Sequence, residues 1–186
     1  MKTLIFFFTA VILSGSSCKK HKPISPVDQL PPETQTGANT FGCLVNGEVF
    51  KPGGLQLAGG SLNCVYQYVS WTNPPGGYIF VLSAGKRHSD GSVESVAIEF
   101  DSVTLNPGIY HLVRKAKGKG GGGYSNINYP QTAIFETNDE VVGQLNLNRF
   151  DTIYQIASGT FWFNAINEQG DTVKVTDGRF DVHFTR

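Results

Sequence analysis

Ser158-Gly159-Thr160-Phe161-Trp162-Phe163-Asn164-Ala165-Ile166-Asn167 and, after a turn, Val173-Lys174-Val175-Thr176-Asp177-Gly178-Arg179-Phe180-Asp181-Val182-His183-Phe184-Thr185 decide the fold class. In the first segment Phe161, Phe163 and Ala165 share one side. In the second, Phe180, Val182 and Phe184 share one side, and Arg179, Asp181, His183 and Thr185 share the other. Side chains alternate across a strand, so each segment reads as a strand with one buried and one wet face. Asn167-Glu168-Gln169-Gly170-Asp171 supplies the residues of a connecting turn. Val173 and Val175 extend the apolar face as far as Asp177-Gly178, which predicts a break or a bulge.

Outward from this pair, Phe41-Gly42-Cys43-Leu44-Val45, Asn46-Gly47 and Glu48-Val49-Phe50 predict a hairpin. Asn-Gly fits the two positive-φ positions of a type I′ turn. Leu62 to Trp71 carries apolar residues on both faces and predicts a strand covered on both sides. Further strands are expected over Tyr78 to Ala84, Val93 to Phe100, Tyr110 to Arg114, Gln131 to Thr137 and Val141 to Leu147. Lys115 to Gly123 reads as a mobile hairpin tip. It is no phosphate loop, because Gly118-Lys119 lacks a following Ser or Thr and no helix pattern begins there. With 22 Gly and one Met, the chain favours short strands and turns over helices. The expectation is a single all-β domain over 38–186, an antiparallel sandwich or barrel of about nine to eleven strands.

Residues 1–17 read as a secretory leader: Lys2, an apolar run from Leu4 to Leu13 broken by Thr9, then Ser14-Gly15-Ser16-Ser17. The run is shorter than the roughly 20 residues of a membrane span. Leu13-Ser14-Gly15-Ser16-Ser17-Cys18 resembles a bacterial lipobox, with Gly15 where Leu often stands. That resemblance implies a Cys18 carrying acyl chains such as palmitate; several buried chains make a stable anchor. Lys19-Lys20-His21-Lys22 adds attraction to anionic headgroups. No Asp follows the Cys and no acidic cluster follows it either, which resembles an outer-membrane lipoprotein facing the periplasm. Residues 18–37, with Pro23, Pro26, Pro31 and Pro32, read as an extended tether. Its part from Pro23 to Gly37 reaches about 45 Å at ~3.1 Å per residue and has no core-forming pattern.

Fifteen basic and fifteen acidic residues give no electrostatic case for nucleic acid. Cys43 and Cys64 both lie on apolar faces. In an oxidising compartment they are candidates for a disulfide, worth about 3 kcal/mol in the chain-entropy model, or else two buried thiols. His88-Ser89-Asp90 has the residue types of a hydrolase triad, but adjacent loop residues cannot aim at one another as a triad requires. The four His are far apart, and neither Glu94 nor Glu99 has a carboxylate partner at a readable spacing. No catalytic residue, metal ligand or cofactor is assigned, so the reading is non-enzymatic. Trp71 and Trp162 are candidates for stacking on a sugar ring or partner, as are Tyr66 and Tyr68; the other reading of each Trp is core packing. Asp101-Ser102-Val103, Asp151-Thr152-Ile153 and Asp171-Thr172-Val173 resemble Bacteroidetes O-glycosylation acceptors, making Ser102, Thr152 and Thr172 candidates; each also fits an ordinary turn-to-strand junction.

Leu30-Pro31-Pro32-Glu33-Thr34-Gln35-Thr36-Gly37-Ala38-Asn39-Thr40-Phe41-Gly42-Cys43-Leu44-Val45-Asn46-Gly47 resembles the opening of a family of Bacteroidetes lipoproteins of unknown function, the DUF6252 type. Ser158-Gly159-Thr160-Phe161 and Asp171 to Val182 resemble its C-terminal part. The resemblance covers the two ends of the domain and implies a lipid-anchored β-domain; it brings no activity or site residues. The expected role is a binding or structural module of the envelope, with the membrane, an envelope protein or a glycan as partner. The alternative is a glycan- or small-ligand-binding protein that uses exposed aromatics.

Overall fold

Val173 and Val175 are odd-numbered, whereas Phe180, Val182 and Phe184 are even-numbered, so one strand can bury all five only by inserting an extra residue between them. That is how the chain folds. In this computed structural model, which describes residues 24–54, 61–70 and 76–186, the pairing slips between Phe161 and Phe163, opposite Gly178 and Val175. Asp177 takes φ +53° in the bulge, and all five apolar side chains are buried. The leader with Cys18, and Trp71, lie outside the described residues.

The described strands are β1 (Thr40–Val45), β2 (Glu48–Phe50), β3 (Leu62–Val69), β4 (Gly77–Arg87), β5 (Val93–Asp101), β6 (Gly108–Leu112), β7 (Lys119–Asn128), β8 (Gln131–Glu136), β9 (Gly143–Asp151), β10 (Ile156–Ile166) and β11 (Thr172–His183). They form one eleven-stranded sheet in the order β2-β1-β11-β10-β9-β6-β7-β5-β4-β3, with β8 beside β7. Every pair is antiparallel except β6 with β7, which meet in parallel at Leu112 and Gly120. The sheet curls until its ends meet. At one end Tyr66 N donates to Thr185 O (2.8 Å) and Thr185 N to Cys64 O (2.9 Å). At the other, Gly53 N donates to Gly85 O and Arg87 N to Gly53 O, both at 3.0 Å. The fold is therefore all-β and barrel-like, and the sandwich alternative falls away. The interior is lined by Phe80, Leu82, Ile98, Leu145, Leu147 and Phe163, all buried. Asn46 (φ +50°) and Gly47 (φ +86°) make the expected β1–β2 turn.

Lys115 to Gly123 departs from the expected mobile tip. Gly120, Gly121 and Gly122 are buried within β7, paired with β5 on one side and flanked by Leu112 of β6 and by Thr137 on the other. The reason is steric. A Cβ on Gly120 would lie 2.3 Å from the Phe100 ring, and one on Gly122 would lie 2.7 Å from the Phe163 ring. The poor strand propensity of glycine is overridden because only hydrogen leaves room for two rings. Gly122→Ala should therefore overpack the interior and cost about 1–3 kcal/mol. Gly53→Ala, whose added methyl meets no atom within 4 Å, should cost far less. Urea unfolding midpoints of the two variants check this.

Candidate functional site

Asp181 points out of the barrel, yet it is fully buried. Residues 30–38 lie over it as a strap. Asp181 Oδ2 accepts from Thr34 Oγ1 (2.6 Å), Thr36 N (2.8 Å), Thr36 Oγ1 (3.2 Å) and Ala38 N (3.1 Å), and Oδ1 accepts from Gly37 N (2.7 Å). Leu30 is buried, and Pro31 packs onto Gly42. Arg149 donates to Gln35 O (2.5 Å) and Arg179 to Pro31 O (3.4 Å). Two expectations are corrected. The Pro-rich segment is not free through Gly37, because its peptide N–H groups find an acceptor on β11. Asp181 is not on a solvated face, because that segment covers it. Burial alone raises the Asp181 carboxyl. The hydrogen bonds from Thr34, Thr36, Ala38 and Gly37 outweigh it and hold the group below its ordinary value.

The strap forms one wall of a groove of about 440 Å³ on the outer sheet face. Its floor crosses four strands. Ile109 of β6 stands opposite Asn146 of β9, Thr160 of β10 lies between Asn146 and Arg179, and Trp162 stands opposite Gln144. Asp177 and Arg179 of β11 and Glu33 of the strap complete the lining. Trp162 is 42% exposed, so the outward reading of this residue is the one the barrel realises: Phe161 and Phe163 fill the interior and leave the indole outside. The side chains of Gln144, Asn146 and Thr160 have no hydrogen-bond partner among the described residues. The groove thus sets one apolar ring face among unengaged amide and hydroxyl groups, with charged groups in the same lining. That is the chemistry for a ligand with a flat C–H face and a fringe of hydroxyls.

A second depression, of about 630 Å³, opens at the barrel end that carries Tyr66, Tyr68, Tyr78, Phe150 and Arg186. Tyr66 is buried and stacks on Tyr78 with ring centroids 4.7 Å apart, while Tyr68 is exposed. Tyr66 is thus a core residue rather than the exposed ring that was expected. The β3–β4 connection at this end, residues 71–75, lies outside the described residues.

The remaining candidates fall elsewhere. Cys43 and Cys64 are buried and unbridged, and burial pushes both thiols up. Their strands have other neighbours: β1 lies between β2 and β11, and β3 pairs with β4. Ser102 is half-buried at φ +58° and donates to Asp101 Oδ1 (2.8 Å). Thr152 is exposed in the β9–β10 turn, where Asp151 Oδ1 accepts from Ile153 N and Tyr154 N, both at 2.9 Å. Thr172 is exposed at the start of β11. His88 Nε2 lies 2.9 Å from Glu94 Oε2, while Tyr124 OH donates to Glu94 Oε1 (2.9 Å). Asp90 turns instead to Ser92, so His88 and Asp90 do not form a pair. Among the described residues no group of three His, Cys, Asp or Glu side chains is placed to hold a metal ion.

A partly closed barrel with an outer-face groove is the class of protein defined here. Residues 84–182 match the family described as Domain of unknown function (DUF6252), and the chain belongs to that family. The match runs from β4 into β11 and takes in the groove residues Ile109, Gln144, Asn146, Thr160, Trp162, Asp177 and Arg179. The stretch from Leu30 to Gly47, quoted above for the resemblance, lies outside it. Comparison with functionally curated proteins and with solved structures gives no match.

The Asp181 clamp makes stability pH-dependent. A carboxyl held below its unfolded value contributes stability above the unfolded pKa of about 3.9 and loses it as pH falls through the folded pKa. Asp181→Asn should lower stability by roughly 2–4 kcal/mol at pH 7. Urea midpoints between pH 7 and pH 3 should fall more steeply in the wild-type protein than in the variant.

Proposed function

We propose that this chain is a non-enzymatic glycan-binding module of a Bacteroidetes cell envelope, held on the periplasmic side of the outer membrane by acyl chains on Cys18. The observation that carries the binding assignment is Trp162: an exposed indole at the floor of a strap-walled groove, ringed by the unengaged Gln144, Asn146 and Thr160. A pyranose laid on the indole places its hydroxyls against these amides and against Arg179, Asp177 and Glu33. The polar lining favours an oligosaccharide over a lipid chain, and a lining with two carboxylates and one guanidinium favours a neutral sugar over an anionic one. The anchoring assignment is supported by the lipobox-like Leu13 to Cys18 and the basic Lys19, Lys20 and Lys22. A structural role without a ligand is the competing reading.

Two tryptophans, Trp71 and Trp162, give an intrinsic probe. Titration with neutral oligosaccharides and peptidoglycan fragments should change the fluorescence. Trp162→Ala should weaken binding at least tenfold, about 1.4 kcal/mol, and Asn146→Ala should weaken it less. A panel that neither changes fluorescence nor raises the unfolding midpoint counts for the structural role. Separately, Cys18→Ser should move the protein from the membrane fraction to the soluble envelope fraction. Retention of the variant in membranes would sink the anchor assignment.

A further inference from the structure

We propose that the Asp181 clamp sets the distance between domain and membrane, holding the β1–β2 side of the barrel against the lipid headgroup layer. The inference rests on acylation of Cys18. It follows from where the docked chain begins. Ala38, Gly37, Thr36 and Thr34 sit on Asp181, Pro31 on Gly42, and Gln29 O accepts from Lys51 Nζ at 3.1 Å. The strap therefore runs back along β1 to the residue that follows β2. There the turn at Val27–Gln29 leaves Ile24 68% exposed.

Only six peptide steps separate Cys18 from Ile24, a span of at most about 22 Å. A compact domain of this size is about 38 Å across. The anchor is thus shorter than the domain is wide, so the side opposite Lys51 cannot reach the bilayer and the side that carries Lys51 stays toward it. Were residues 24–37 released, they would add about 43 Å of extended chain and remove that restriction. The restraint is covalent. Asp28, next to Gln29, and Glu48, in β2 just before Lys51, are both exposed. Lys19, Lys20 and Lys22 add attraction within the spacer itself.

The test uses the full-length acylated protein in phosphatidylethanolamine–phosphatidylglycerol vesicles with a headgroup-linked quencher. A fluorophore is placed at Lys51→Cys or at Lys119→Cys, the latter on β7 across the barrel from β11. Native Cys43 and Cys64 are buried and do not compete for label. Quenching should be several-fold stronger at position 51 than at position 119. A ten-residue Gly-Ser insertion between Lys22 and Pro23, which leaves the folded domain untouched, should remove the difference. Asp181→Ala should do the same in protein that still unfolds cooperatively. Equal quenching at the two positions, or a difference that survives the insertion, overturns the proposal. Mass spectrometry and flotation keep the two readings apart. Without an acyl mass on Cys18 and without flotation, the anchor fails and takes the proposal with it. Acylated, floating protein with equal quenching overturns the clamp's role alone.

Discussion

Aromatic rings laid on glycines fix this barrel. Phe100 lies over Gly120, Phe163 over Gly122 and Phe161 over Gly178, each where a Cβ would come within 2.7 Å of the ring. A small sheet curled into a partly closed barrel has to fill its interior with side chains. Here rings on some strands occupy the space that glycines leave on others, so the packing interlocks. The β11 bulge belongs to the same arrangement. It turns the even-numbered residues after Asp177 inward and brings Gly178 under Phe161.

The outer surface follows from the same alternation. With Phe161 and Phe163 inside, Trp162 has to lie outside, and with Phe180 and Val182 inside, Asp181 has to point out. The two outward residues meet different fates because the strap reaches one and stops short of the other. Over Asp181 it supplies five hydrogen-bond donors to a buried carboxylate, which offsets the cost of removing the charge from water. Beside Trp162 it contributes only Glu33 and leaves the indole in an open groove. One short segment thus walls the groove and covers the carboxylate.

The candidate site was half legible. Trp162 could be singled out because it stands between two Phe at strand spacing, which leaves two environments open to it. Gln144, Asn146 and Thr160 carried no signal of their own, since isolated amides and hydroxyls are ordinary on a wet strand face. They become a site only when β9 is laid beside β10 with Gln144 opposite Trp162. The Glu94 cluster was unreadable for a related reason: His88 lies close in sequence, but Tyr124 arrives from a strand 30 residues away.

The sequence by itself determined the all-β class, the β1–β2 hairpin and the inward and outward faces of β10 and β11. It also implied the bulge, through the change in parity between Val175 and Phe180. These are local properties, written in the alternation of neighbouring residues and in the turn chemistry of Asn46-Gly47. Only the tertiary structure decided that the sheet curls until its ends meet, that Gly120 to Gly122 are buried in a strand, and that Asp181 is covered. Each of these depends on a partner distant in the chain. Gly122 takes its meaning from Phe163, and Asp181 from a Thr36 N–H that lies 145 residues away. No local pattern encodes such a pairing, because a glycine run reads as loop and an aspartate as surface until the fold brings a ring or a row of donors to it.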